Sequence, residues 1–199
     1  MTDVSESINE AVDRAAESRL NTIVAACVAL TATFMALCNV KDGNVVQNMA
    51  VLQSQEVDTW SYYQAKSTKQ SLAESVLDQL IITKDTTTSP SPEAQKILAG
   101  KIQEYGEKVK RYEKEKEEIK AKAGGLQKDY DALNIHDDQF DMSEACLSIA
   151  IALFGVTALT QKRWLLAIAL IFTIFGFILG IAGFAGWDLH PDFLARLLT

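Results

Sequence analysis

At 199 residues, the chain is 48% hydrophobic and 23% charged, with a formal net charge of −7. These averages hide two populations: residues 20–40 and 164–187 contain no charged side chain, whereas residues 41–144 carry 14 Lys/Arg and 19 Asp/Glu. A single soluble globule does not segregate polarity in this way, and the acidic balance argues against a nucleic-acid partner. The pattern predicts an all-α membrane protein with a long polar insert.

Residues 1–19 form an amphipathic tail in which Asp3, Glu6, Glu10, Asp13 and Glu17 outnumber Arg14 and Arg19. The first apolar run, LNTIVAACVALTATFMALCNV (20–40), has 21 residues. At about 1.5 Å per residue it crosses ~30 Å of hydrocarbon. No basic n-region precedes it and it is too long for an h-region, so it reads as a first transmembrane helix and not a cleavable signal.

Residues 41–144 read as an extramembrane antiparallel coiled-coil hairpin. Its first arm, 45–82, lacks Pro and Gly and carries three short seams: Val45, Met49 and Leu52; Val57, Trp60 and Tyr63; Ala73, Leu77 and Leu80. TKDTTTSPSP (83–92) has turn chemistry. The second arm repeats apolar residues in steps of four and three: Leu98, Ile102, Tyr105, Val109, Tyr112, Ile119, Ala123, Leu126, Tyr130 and Leu133, with Lys116 as the charged break. Helix breaks are expected at 41–44 and around 134–138. A turn centred between Thr87 and Thr88 sets Tyr63 opposite Tyr112, Leu77 opposite Leu98 and Met49 opposite Leu126. It also brings Lys116 within one turn of Glu56, for an ion pair.

A second transmembrane helix is expected at 145–160, with Asp141 and Glu144 in capping-box spacing at its start. The third, 164–187, has Trp164 and Trp187 at its ends, where the membrane interface favours them. Lys162 and Arg163 lie in the tight turn between them, and basic residues in short loops stay cytoplasmic. That orientation puts the N-terminus in the cytoplasm and the hairpin in the periplasm. In the tail 188–199, Pro191 opens a short interfacial helix with Phe193, Leu194, Leu197 and Leu198 on its apolar side.

No HExxH, CxxC, GxSxG, Walker loop or GxGxxG is present, which predicts a non-enzyme with no catalytic residue and no cofactor. Cys27, Cys38 and Cys146 all lie outside the polar insert and read as buried apolar residues, although Cys38 and Cys146 share one membrane boundary. On a helix Asp137, Asp141 and Glu144 share a face, so they are candidate oxygen ligands for Ca²⁺ or Mg²⁺. An acidic flank with a helix cap is the favoured reading, because no EF-hand loop accompanies them. Small residues at i, i+4 let helices approach closely in lipid. Gly176 with Gly180, Ala182 with Gly186, and Ala25 with Ala29 are therefore the candidate oligomer interface.

The stretches RLNTIVAACVALTATFMALCNVKDGNVVQNM (19–49) and DTWSYYQAKSTKQSL (58–72) resemble an uncharacterised bacterial inner-membrane family catalogued only as a domain of unknown function. The resemblance implies a small bacterial membrane protein and no activity or ligand. The expected role is a homo-oligomeric scaffold, or an accessory subunit of a larger membrane complex, with membrane lipid as its other partner. The alternative is an oligomeric channel lined by Thr31 and Thr33.

Overall fold

The structure, a computed structural model, describes residues 2–187; within 2–18 it describes the backbone and, of the side chains, Val12 alone. The C-terminal helix expected at 188–199 lies outside the described residues. The described chain forms three helices: α1 (Thr2–Thr86), α2 (Pro92–Thr160) and α3 (Arg163–Ala185). Each contains a stretch long and apolar enough to cross a membrane.

The breaks expected at 41–44 and around 134–138 are absent, since α1 and α2 run through both places. Polar residues that compete with a helix can also be satisfied along it. The Asn44 amide donates to the Val40 carbonyl at 3.0 Å. The Asn134 amide donates to Asp138 at 3.3 Å, and His136 Nδ1 lies 3.2 Å from Gln139 Oε1. Asp141 and Glu144 consequently sit inside α2 rather than capping a new helix. The threonine-rich end of α1 stays helical for the same reason, with the hydroxyls of Thr83 and Thr86 bonded one turn back to Gln79 and Ile82. The connection to α2 is thus shorter than 83–92. Ser91 caps α2 by accepting the Ala94 N–H at 3.2 Å, with Pro92 as first helical residue, where no N–H is needed.

The chain divides into two compact units, residues 1–49 with 132–199, and residues 50–131. In the first, Leu20, Val24, Ala150, Phe154 and Ala169 form a buried cluster. Gln161, in the left-handed region at φ 58°, turns the chain from α2 into α3. Its amide donates to Asn21 Oδ1 at 2.9 Å and so ties the turn to α1. Further along, Phe34 of α1 stacks on Phe177 of α3 at 4.1 Å, and Phe140 of α2 meets Phe184 of α3 edge-on at 5.4 Å. α3 ends on Gly186, whose φ of 68° suits a residue without Cβ, and the Trp187 N–H returns to the Ala182 carbonyl at 3.0 Å. Burial on α2 begins well before residue 145, where an apolar segment was expected. Gln139, Phe140, Met142 and Ser143 are all buried. Asp141 is exposed between them, so charge on the other face of the helix hides this apolar stripe in a linear reading.

The second unit pairs 50–86 of α1 with 92–131 of α2. The α2 positions expected at the seam are buried or half-buried, from Leu98 to Tyr130. On α1 the middle of the seam differs. Leu52, Glu56, Thr59, Tyr63, Lys66, Gln70, Ala73, Leu77 and Leu80 are buried or half-buried, while Val57 and Trp60 are exposed. Four polar residues hold seam positions there, which displaces the apolar count by one. The register also differs by about one turn. Lys66 pairs with Glu115 at 2.6 Å, Lys116 lies 5.2 Å from the Tyr63 ring centre, and Leu80 shares a groove with Leu98. Tyr63 therefore faces Lys116, not Tyr112. Glu56 accepts the Trp60 indole N–H at 3.2 Å instead of pairing with Lys116. The cause is the extra helical turn of α1 before the reversal.

Candidate functional site

The most unusual chemistry lies in the first unit, where the apolar core gives way to charged residues. On α1, Cys38, Val45 and Met49 are buried, and Asp42 falls on the same stripe, four residues after Cys38 and three before Val45. On α2, Asp137 lies three residues before the buried Phe140. Helical spacing of this kind puts Asp42 and Asp137 on the faces turned toward one another, and their carboxyls lie close enough to act on each other. Two carboxylates have no donor between them, so a hydrogen bond between the pair requires a proton. Asp42 Oδ1 is buried and faces no donor.

Burial is the main cause that pushes Asp42 up from 3.8 to about 6, followed by the negative charges of Asp137 and Asp141. Asp137 is also raised, first by burial and then by Asp141. Glu144 adds further negative charge and meets the Asn39 amide at 3.4 Å.

Next to the pair the three helices pack closely. The Ser143 hydroxyl donates to the Gly176 carbonyl at 2.8 Å, and its oxygen lies 4.0 Å from Cys38 Sγ. A Cβ on Gly176 would come within 2.7 Å of Leu147, one on Gly180 within 2.7 Å of Phe34 and 2.9 Å of Cys38 Sγ, and one on Gly183 within 2.8 Å of Phe140. On the α3 side, Gln139 is fully buried and its amide donates to the Trp187 carbonyl at 2.7 Å.

The residues singled out from the sequence are distributed as follows. Gly176 is buried against α2 and Gly180 against α1, so their close approach is used within the chain, and Ala182 is also buried. Gly186 is exposed at the end of α3, and Ala25 and Ala29 are exposed on α1. Thr31 is buried, whereas Thr33 is exposed and its hydroxyl bonds the Ala29 carbonyl at 2.8 Å. Asp137, Asp141 and Glu144 all act on Asp42, yet among the described residues no three His, Cys, Asp or Glu side chains are arranged to hold a metal ion. Cys38 and Cys146 are both free thiols, and the near partner of Cys38 is Ser143.

Asp42 was missed because it sits in KDGN (41–44), which reads as a turn. The available signal was its helical spacing from Cys38, Val45 and Met49.

A family model described as Domain of unknown function (DUF4337) matches residues 20–186. No curated protein and no solved structure matches the chain.

Proposed function

This chain belongs to the family described as Domain of unknown function (DUF4337), whose description carries no activity. From its own geometry we infer a multi-pass membrane protein acting as a homo-oligomeric scaffold or accessory subunit, and the family resemblance implies that the membrane is a bacterial inner membrane. The observation that carries this reading is the outer surface of the first unit. Leu30 and Val40 on α1 are each 69% exposed, Leu159 on α2 is 86% exposed, and Ile171 on α3 is 66% exposed. Water does not solvate such a surface favourably, whereas lipid does. Trp164 and Trp187, both exposed, bound α3 as interfacial anchors do. Lys162 and Arg163 at the α2–α3 turn favour a cytoplasmic N-terminus and an external second unit.

Self-association is supported by exposed Ala25 and Ala29, which leave α1 open to close helix contact. It is supported also by the charge imbalance of the second unit. On α1 the exposed Val51, Val57 and Leu72 are interspersed with Ser54, Ser61 and Thr68. The segment KVKRYEKEKEEIKAK (108–122) of α2 is charge-dense. The α1 side, although it exposes Asp58, Lys69 and Asp78, is the less charged of the two and has the lower desolvation cost on meeting another helix.

Two measurements test the proposal. A cysteine at Thr88, with the native cysteines replaced by alanine, should react with a membrane-impermeant maleimide in intact spheroplasts. Reaction only after lysis would reverse the orientation. Native mass measurement of the detergent-solubilised chain should give a multiple of the 21.9 kDa protomer; a monomer would remove the oligomeric scaffold.

A further inference from the structure

We propose that Asp42 and Asp137 form a proton-operated lock between α1 and α2, in which one shared proton holds the helices together and its loss lets them part at this level. The pair occupies inward positions on both helices, next to the buried Cys38 and Phe140, where apolar side chains would otherwise meet. The two carboxyls act on each other across the helix interface, and a hydrogen bond between them can exist only while a proton is present. The buried Asp42 Oδ1 has no other donor to accept from once that proton leaves.

The surroundings sharpen this dependence. From α2, Asp137, Asp141 and Glu144 act on Asp42, and Asp138 acts on Asp137. From its own helix, Cys38 lies one turn away, and the neighbouring Lys41 is exposed. His136, half-buried on α2, has its Nδ1 engaged by Gln139. α3 carries no titratable side chain after Arg163 at its start. Deprotonation therefore gathers like charges, and like charges held together where they are half-buried repel more than they would in open water.

The direction follows from linkage. Asp42 is raised from 3.8 to about 6, so between those values the closed contact binds more protons than the open one. The lock is fully supported below the ordinary value and loses support as pH rises through about 6. The device is closed in acid and released toward neutrality.

The test uses the full chain in detergent micelles, with spin labels at Asn48 and Ala132, which are both exposed. Pulsed electron paramagnetic resonance would follow their separation from about pH 4 to about pH 8, the window set by linkage. The short-distance population should dominate in acid and give way to a longer one with its midpoint at about 6. Asp42→Asn stays neutral and offers Asp137 an amide donor, so it should hold the short distance throughout. A wild-type distance that ignores pH, or an unchanged transition in Asp42→Asn, would overturn the lock. If that variant does not fold, infrared spectra of the wild type with ¹³C-labelled aspartate decide. A protonated-carboxyl band should be present in acid and disappear over the same midpoint, and its absence in acid also overturns the proposal.

Discussion

Glycines at two positions of α1 and α3 show how one residue type serves opposite ends. Gly43 has nothing within 4 Å of where its Cβ would be, yet it lies inside α1. There it only costs backbone entropy, so Gly43→Ala should stabilise the chain by about 0.5–1 kcal/mol. Gly180 is hemmed in by the Phe34 ring at 2.7 Å and the Cys38 sulfur at 2.9 Å. Gly180→Ala should cost about 1–3 kcal/mol, because the stacked Phe34 cannot give way without leaving Phe177. Thermal unfolding of the two variants in one detergent compares them directly. Equal and small effects would mean that α1 and α3 do not approach each other this closely.

Among the elements, the polar middle of the second unit has the greatest consequence for register. A seam of leucines accepts several registers, whereas a charged or hydrogen-bonding layer is satisfied in one. Lys66 supplies that layer. It reaches Glu115 at 2.6 Å, and it lies 5.6 Å from the Tyr112 ring centre and 5.1 Å from that of Tyr62. Its side chain is only 14% exposed, so a one-turn slip would strand the ammonium among groups that do not answer it. A cysteine pair at Thr59 and Ile119, both buried and lining the same groove, should cross-link readily within one chain. A pair at Tyr63 and Tyr112 should not. Lys66→Met should raise the second cross-link at the expense of the first, because the layer that discriminates registers is gone. Cross-linking at 63 and 112 in the unsubstituted background would refute the register described above.

For the whole molecule, the relevant quantity is where apolar surface remains uncovered. Along the apolar runs of the first unit all three helices expose large apolar side chains, whereas the second unit presents lysine and glutamate on α2. A chain anchored by three apolar segments should stay with the membrane fraction after alkaline carbonate washing and leave it only with detergent. Recovery in the wash would show that lipid does not cover those helices. Glu104 illustrates the contrasting solvated surface. Lys101 and Lys108 bracket it at 2.8 and 2.7 Å and hold its carboxyl down to about 2. That carboxylate keeps its charge across the whole range in which Asp42 titrates, so a pH transition near 6 points to the first unit.

Local composition by itself determined the number and kind of segments: apolar runs at 20–40 and 164–187, and a heptad from Leu98 to Leu133. Charge-free length and a four-three repeat are properties of neighbouring residues, so they can be read without knowing what lies opposite. Helix continuity was not legible in the same way. KDGN and the run 134–138 have breaker composition, but in the fold Asn44 and Asn134 bond within their own helices. Only the tertiary structure decided the register, since one added turn of α1 before Ser91 moves every partner by about a turn. It alone also assigned the glycines of α3 to contacts within the chain, because small-residue spacing says that something comes close and not what. The carboxyl pair lay furthest beyond the sequence. Asp42 and Asp137 are 95 residues apart in the chain, and their action on each other depends on a burial and a proximity that exist only once α1 and α2 are packed together.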